Sequence, residues 1–175
     1  MKRTLGAIAA LTVTFQAQAF ADGHQTLLEN ASLIDVETGS ITEDQNVLIE
    51  DGMITAIGSR VRAKGSATRI DLDGAYLLPG LTDSHVHLTG RADKHGLRRL
   101  TVSTPRAAIS AVANAKITLE AGFTTVRNLG SPGYADIDLR EAIDEGEVPG
   151  PRVLGAGQSL SITGGHCGDA TSLPY

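Results

Sequence analysis

Two histidines separated by one residue, His85 and His87, close the run Leu78-Pro79-Gly80-Leu81-Thr82-Asp83-Ser84-His85-Val86-His87-Leu88. On an extended strand, residues i and i+2 project to one face, so the imidazoles are expected side by side with Asp83 behind them. Two imidazoles at a strand end can take one divalent ion, with zinc the default. The chain has five histidines in 175 residues, so an H-x-H pair is weak evidence until its position in the fold is known.

The remaining candidates carry less chemistry. His24 is expected to be solvated. His95 lies in the polar stretch from Arg91 to Arg99, where exposure is the ordinary outcome, although such loops can shape a pocket. His166 and Cys167 have the residue types of a nucleophile pair, but adjacent side chains rarely face each other, and Cys167 reads better as a small buried residue. It is the only cysteine, so no intramolecular disulfide can form and stability must come from a packed core.

The elements that must position the pair follow from punctuation and periodicity. After Gly74, Ala75 to Leu78 is an apolar strand broken by Pro79-Gly80, and Leu81 to Leu88 carries on to the histidines. Thr104-Pro105 supplies an N-cap and a first-turn proline, with Ala108, Val112, Ala115 and Leu119 at helical spacing and Gly122 as the stop. Thr124 to Leu129 predicts a strand. Leu139, Ala142 and Ile143 mark a second helix ended by Gly146, and Arg152-Val153-Leu154 opens a third strand that reaches Ile162. Alternating strands and helices imply parallel βα units, in which chemistry sits at the C-terminal ends of the strands. That is where His85 and His87 fall. A complete (β/α)8 TIM barrel needs roughly 250 residues and about 100 follow Gly74, so the expectation is an α/β barrel truncated after about three βα units, with an open strand edge.

Residues 22–75 read differently, as short strands and turns forming part of a small β-sandwich domain. Val47 to Glu50 and Ile54 to Ile57 flank Asp51-Gly52, the strongest short hairpin signal in the chain. Residues 1–21 read as a cleavable signal peptide. Lys2 and Arg3 precede an apolar stretch, Leu5 to Phe15, too short to span a bilayer, and Ala17-Gln18-Ala19 and Ala19-Phe20-Ala21 offer small residues for cleavage. The expected location is periplasmic or secreted, with no stable membrane insertion after cleavage. The domains are thus expected at 1–21, 22–75 and 76–175. Hydrophobic residues at 41% and charged residues at 20% suit a globular chain. The net charge is −5 with Lys and Arg scattered, which excludes a nucleic-acid surface.

Pro79-Gly80-Leu81-Thr82-Asp83-Ser84-His85-Val86-His87 resembles the P-G-x-x-D-x-H-x-H signature that opens the barrel in the amidohydrolase superfamily. Ile49-Glu50-Asp51-Gly52-Met53-Ile54-Thr55-Ala56-Ile57-Gly58 is similar to the hairpin of its small β domain. Gly122-Phe123-Thr124-Thr125-Val126-Arg127-Asn128-Leu129-Gly130, Pro149-Gly150-Pro151-Arg152 and Ser161-Ile162-Thr163-Gly164-Gly165-His166 resemble segments of its imidazolonepropionase-like and Xaa-Pro dipeptidase branch.

The resemblance implies that His85 and His87 ligate the more buried ion of a site holding one or two divalent metals. Asp83 would be a neighbouring carboxylate that supports the strand end without ligating. His166 would either face the substrate or be a loop histidine held by backbone hydrogen bonds. Asn128 stands where the branch has Asp, and Arg127 is expected to pair structurally near the barrel mouth. The family completes its site with a lysine on strand four, histidines after strands five and six, and an aspartate after strand eight. The general base is therefore expected beyond Tyr175, no catalytic residue lies within the chain, and the fragment alone is expected to be inactive.

For the intact protein the expectation is metal-dependent hydrolysis of amide or peptide bonds in small peptides, of Xaa-Pro dipeptidase or carboxypeptidase type. The alternatives are a cyclic amide hydrolase of imidazolonepropionase type and a non-catalytic truncated fragment. A homo-oligomer is left open.

Overall fold

The computed structural model describes residues 25–94, 98, 101–162 and 165. Its contacts divide the chain into two compact units between Leu78 and Pro79.

The first unit is a mixed sheet. Strand β1 (Gln25–Ile34) lies between β2 (Ile41–Glu50), which pairs with it antiparallel, and β4 (Thr68–Asp71), which pairs parallel. Strand β3 (Met53–Gly58) extends the sheet beyond β2, and β5 (Tyr76–Leu77) pairs parallel with the end of β1. The Asp51-Gly52 hairpin forms as expected. Both residues have positive φ, 49° and 79°, the backbone that matches the twist of a two-residue turn between Glu50 and Met53. Leu27, Ala31 and Val47 are buried on this sheet. These strands make one layer, and the second layer of a sandwich is not among the described residues of this unit. Tyr76 and Leu77, read from sequence as opening the barrel module, hydrogen bond to β1 and so extend the first sheet.

The second unit is a three-stranded parallel sheet in the order β6 (Leu81–Val86), β7 (Phe123–Asn128), β8 (Arg152–Gly155). Helix α1 (Thr104–Glu120) connects β6 to β7. A 3-10 turn (Pro132–Tyr134) and helix α2 (Ala135–Asp144) connect β7 to β8. The N-cap of α1 is Ser103, one residue before the expected Thr104, with its hydroxyl accepting from the Arg106 amide. The buried stripe of α1 is Ala107, Ala111 and Ala115; Ala115 lies on the expected line, while Ala107 and Ala111 take the places expected of Ala108 and Val112. Alanine lets the helix approach the sheet closely, and Val112 then packs at the margin of a core made by Leu88, Val126, Leu139 and Val153. Strand β8 ends at Gly155, well short of Ile162, because the chain turns at Gly157 (φ 69°), whose carbonyl accepts from the Ser131 amide.

Gly80 is where the start of β6 passes against β7. A Cβ there would overlap the Thr124 side chain, whose own Cβ would lie 2.6 Å away. Thr124 is β-branched and has few rotamers to move into. Gly80→Ala is expected to destabilise the protein by about 1–3 kcal/mol, read as a lowered urea midpoint with an unchanged slope. Wild-type stability in this variant would show that the strands can separate at no cost.

Candidate metal-binding site

His85 and His87 stand at the C-terminal end of β6. Their ring centroids are 5.4 Å apart, with the ring planes at 67°. Two imidazoles on one tetrahedral ion, with metal–nitrogen bonds of about 2.0–2.1 Å, hold their centroids about 5 Å apart. The separation of the two rings is close to that spacing. Among the described residues, no group of three or more His, Cys, Asp or Glu could hold a metal.

The backbone under the pair is irregular. Asp83 sits opposite Val126 and Val86 opposite Asn128, so β6 has one residue more than β7 between these rungs, a bulge at Ser84-His85. The simple alternation expected from Asp83 to His87 is interrupted there. Side chains bond to two backbone groups at the bulge. The His85 amide donates to Asp83 Oδ1 at 2.9 Å, and the Ser84 carbonyl accepts from Arg127 Nε at 2.7 Å. The Asp83 carboxylate thus lies along its own strand, against the His85 backbone. Beyond the bulge, the Val86 carbonyl accepts from the Leu129 amide and the His87 carbonyl from the Gly90 amide.

Two asparagines secure the next turn. Asn128 is fully buried. Its Oδ1 accepts from the Leu88 amide at 2.7 Å, while its Nδ2 donates to the Gly130 carbonyl and to Asp136 Oδ2 at 3.1 Å. Asp136, also fully buried, accepts with the same Oδ2 from the Gly157 amide, and its own amide donates to Ser131 Oγ. Its Oδ1 has no hydrogen-bond partner. Asn114 of α1 donates to the carbonyls of Leu88 and Gly90 at 2.6 and 2.9 Å. Asn128 thereby joins the C-terminal ends of all three strands. Asn114 and Asp136 do not stand out in the sequence. Asn128 could have been placed in the interior, since it follows the buried Val126 by two residues. In the loop that follows, Arg91 forks onto Asp93 with two 2.9 Å bonds, and this hydrogen bonding holds the Asp93 carboxyl below the usual carboxylate range.

His166, proposed from sequence to face the substrate, lies outside the described residues, as do His24, His95, Cys167 and residues 1–21. No helix among the described residues is long and apolar enough to cross a membrane.

The alternating β-α-β-α-β order of parallel strands, with imidazoles at a strand's C-terminal end, defines a mixed α/β protein of the TIM-barrel superfamily. Residues 76–173 match the amidohydrolase family, and the chain belongs to it.

Solved structures of relatives agree. A prolidase complexed with N-methylphosphonate-L-proline is 34% identical with a TM-score of 0.72, the match covering 81% of this chain and 34% of the prolidase. A Xaa-Pro dipeptidase with methionine bound in its active site is 32% identical with a TM-score of 0.73, over 86% of this chain and 37% of the dipeptidase. Ochratoxinase from Aspergillus niger is 28% identical over 165 residues, covering 89% of this chain and 33% of the relative. The chain spans about a third of the length of these relatives.

Proposed function

We propose that the protein to which this chain belongs is a metal-dependent hydrolase of amide bonds in small peptides, with Xaa-Pro dipeptides the first substrate class. The observation that carries the reading is the His85–His87 pair, held 5.4 Å apart at a parallel strand's C-terminal end. The names of the prolidase and the Xaa-Pro dipeptidase support the choice of substrate. His85 and His87 hold the ion, zinc by default, as one of one or two. A divalent ion there supplies polarisation of the scissile carbonyl and a water acidic enough to deprotonate near neutral pH. Asp83, Arg127, Asn114 and Asn128 keep the backbone that carries the rings in place. His166 is assigned to the substrate side. Export to the periplasm or medium is part of the same reading and rests on residues 1–21.

One preparation tests these points together. The native protein is isolated from its source, its intact mass is measured, and hydrolysis of Xaa-Pro dipeptides and of dipeptides with a basic C-terminal residue is assayed with and without chelator. The expected result is a mass lacking residues 1–21 and a hydrolysis that chelator removes and Zn2+ restores. Hydrolysis indifferent to chelator, or none of either dipeptide class, would rule the reading out.

A further inference from the structure

A bulge places an extra residue in a strand, and without support it can slip along the strand or flatten. In β6 it falls at Ser84-His85, so it includes one imidazole-bearing residue and ends two residues before the other. Two backbone groups at the bulge bond to side chains, the Ser84 carbonyl and the His85 amide. Asp83 satisfies the amide from within the same strand. The carbonyl is satisfied from the neighbouring strand, by the Nε–H of Arg127 at 2.7 Å. Asp83 alone cannot set the height of the bulge relative to β7, because donor and acceptor lie on one strand. The Arg127 bond crosses between strands and can.

We infer that Arg127 is a positioning residue for the His85–His87 pair, acting through the Ser84 carbonyl and needing its Nε–H rather than its charge. The inference rests on the metal-binding reading of the two histidines and deepens it. The atom used makes a sharp distinction. Gln carries a side-chain nitrogen the same number of bonds from Cα as Arg Nε, so Arg127→Gln keeps a donor at that place and removes the charge. Lys keeps the charge but puts carbon there, with its only nitrogen one bond further out, so Arg127→Lys cannot replace the bond without folding back. A group acting by charge, on the ion or on a substrate carboxylate, would show the opposite order.

The experiment uses the native protein with Arg127→Gln, Arg127→Lys and Arg127→Met, and His85→Ala as a control. Three quantities are read: the visible absorption of the Co2+-loaded protein, zinc affinity by chelator competition, and hydrogen exchange of the His85 amide in metal-free protein. Arg127→Gln is expected to keep the wild-type Co2+ spectrum and affinity. Met and Lys should alter the spectrum, weaken zinc binding by about 10–100-fold, the usual cost of losing an outer partner of a ligand, and speed exchange at His85. Wild-type behaviour of Arg127→Met, or rescue by Lys and not by Gln, would overturn the inference. Should His85→Ala leave zinc binding unchanged, the metal reading itself fails. The exchange rates then still decide whether Arg127 holds the bulge.

Discussion

Replacing His85 or His87 with Ala in the native protein is expected to remove the proposed metal-dependent hydrolysis, a loss well beyond the 10–100-fold typical when an outer partner of a ligand is removed. The geometry sets the size of the effect. The two rings already stand at the separation a shared tetrahedral ion requires, and no third ligand-type side chain among the described residues could take the place of either. Backbone groups from Ser84 to Gly90 are bonded by Asp83, Arg127, Leu129, Gly90, Asn128 and Asn114, which fixes the chain that carries the two rings. The measurement is kcat/KM with added zinc, alongside zinc content after dialysis. A variant that keeps both its zinc and its activity would show that the pair is not the site.

Asn128→Asp is expected to destabilise the protein by about 2–4 kcal/mol near neutral pH, a large effect for exchanging NH2 for O. Asn128 uses both ends of its amide: Oδ1 takes the Leu88 amide, and Nδ2 gives to the Gly130 carbonyl and Asp136. Asp keeps the first contact and turns the second into an oxygen facing a carbonyl and a carboxylate 3.1 Å away in a fully buried site. Two carboxylates that close repel unless a proton is shared between them. The deficit relative to wild type should therefore shrink as pH falls and a proton enters the pair. Thermal unfolding from pH 7 to pH 4 reads this. A deficit independent of pH would mean that the cost comes from packing and not from charge.

The parts of the fold legible in the sequence were those decided by short-range chemistry. Asp51-Gly52 specifies its turn because both residues tolerate positive φ. The order of strands and helices after Pro79 follows from periodicity and glycine stops, and the His pair from its place at a strand end. Side-chain contacts between elements were not legible. The bulge in β6 depends on Arg127, 43 positions from the carbonyl it meets. On α1, Ala115 falls where periodicity puts it, but Ala107 and Ala111 are buried in place of Ala108 and Val112, because hydropathy favours Val112 while close approach to the sheet favours the alanines. Tyr76 and Leu77 look like the start of the barrel because they are contiguous with it, yet their hydrogen bonds run back to β1.

The order β6-β7-β8 has a consequence for biosynthesis. After β6, each strand of this sheet pairs with the one made just before it, so β7 and β8 each leave the ribosome to meet a partner already in place. At roughly 5–20 residues per second, each has a time on the order of seconds to dock before the next arrives. The first sheet cannot grow that way. β1 sits at its centre, and its parallel partners β4 and β5 come only after the β2–β3 hairpin, so the sheet closes when Tyr76 and Leu77 emerge. The histidine-bearing strand follows within a few residues, and the nascent chain can finish one unit before it begins the other.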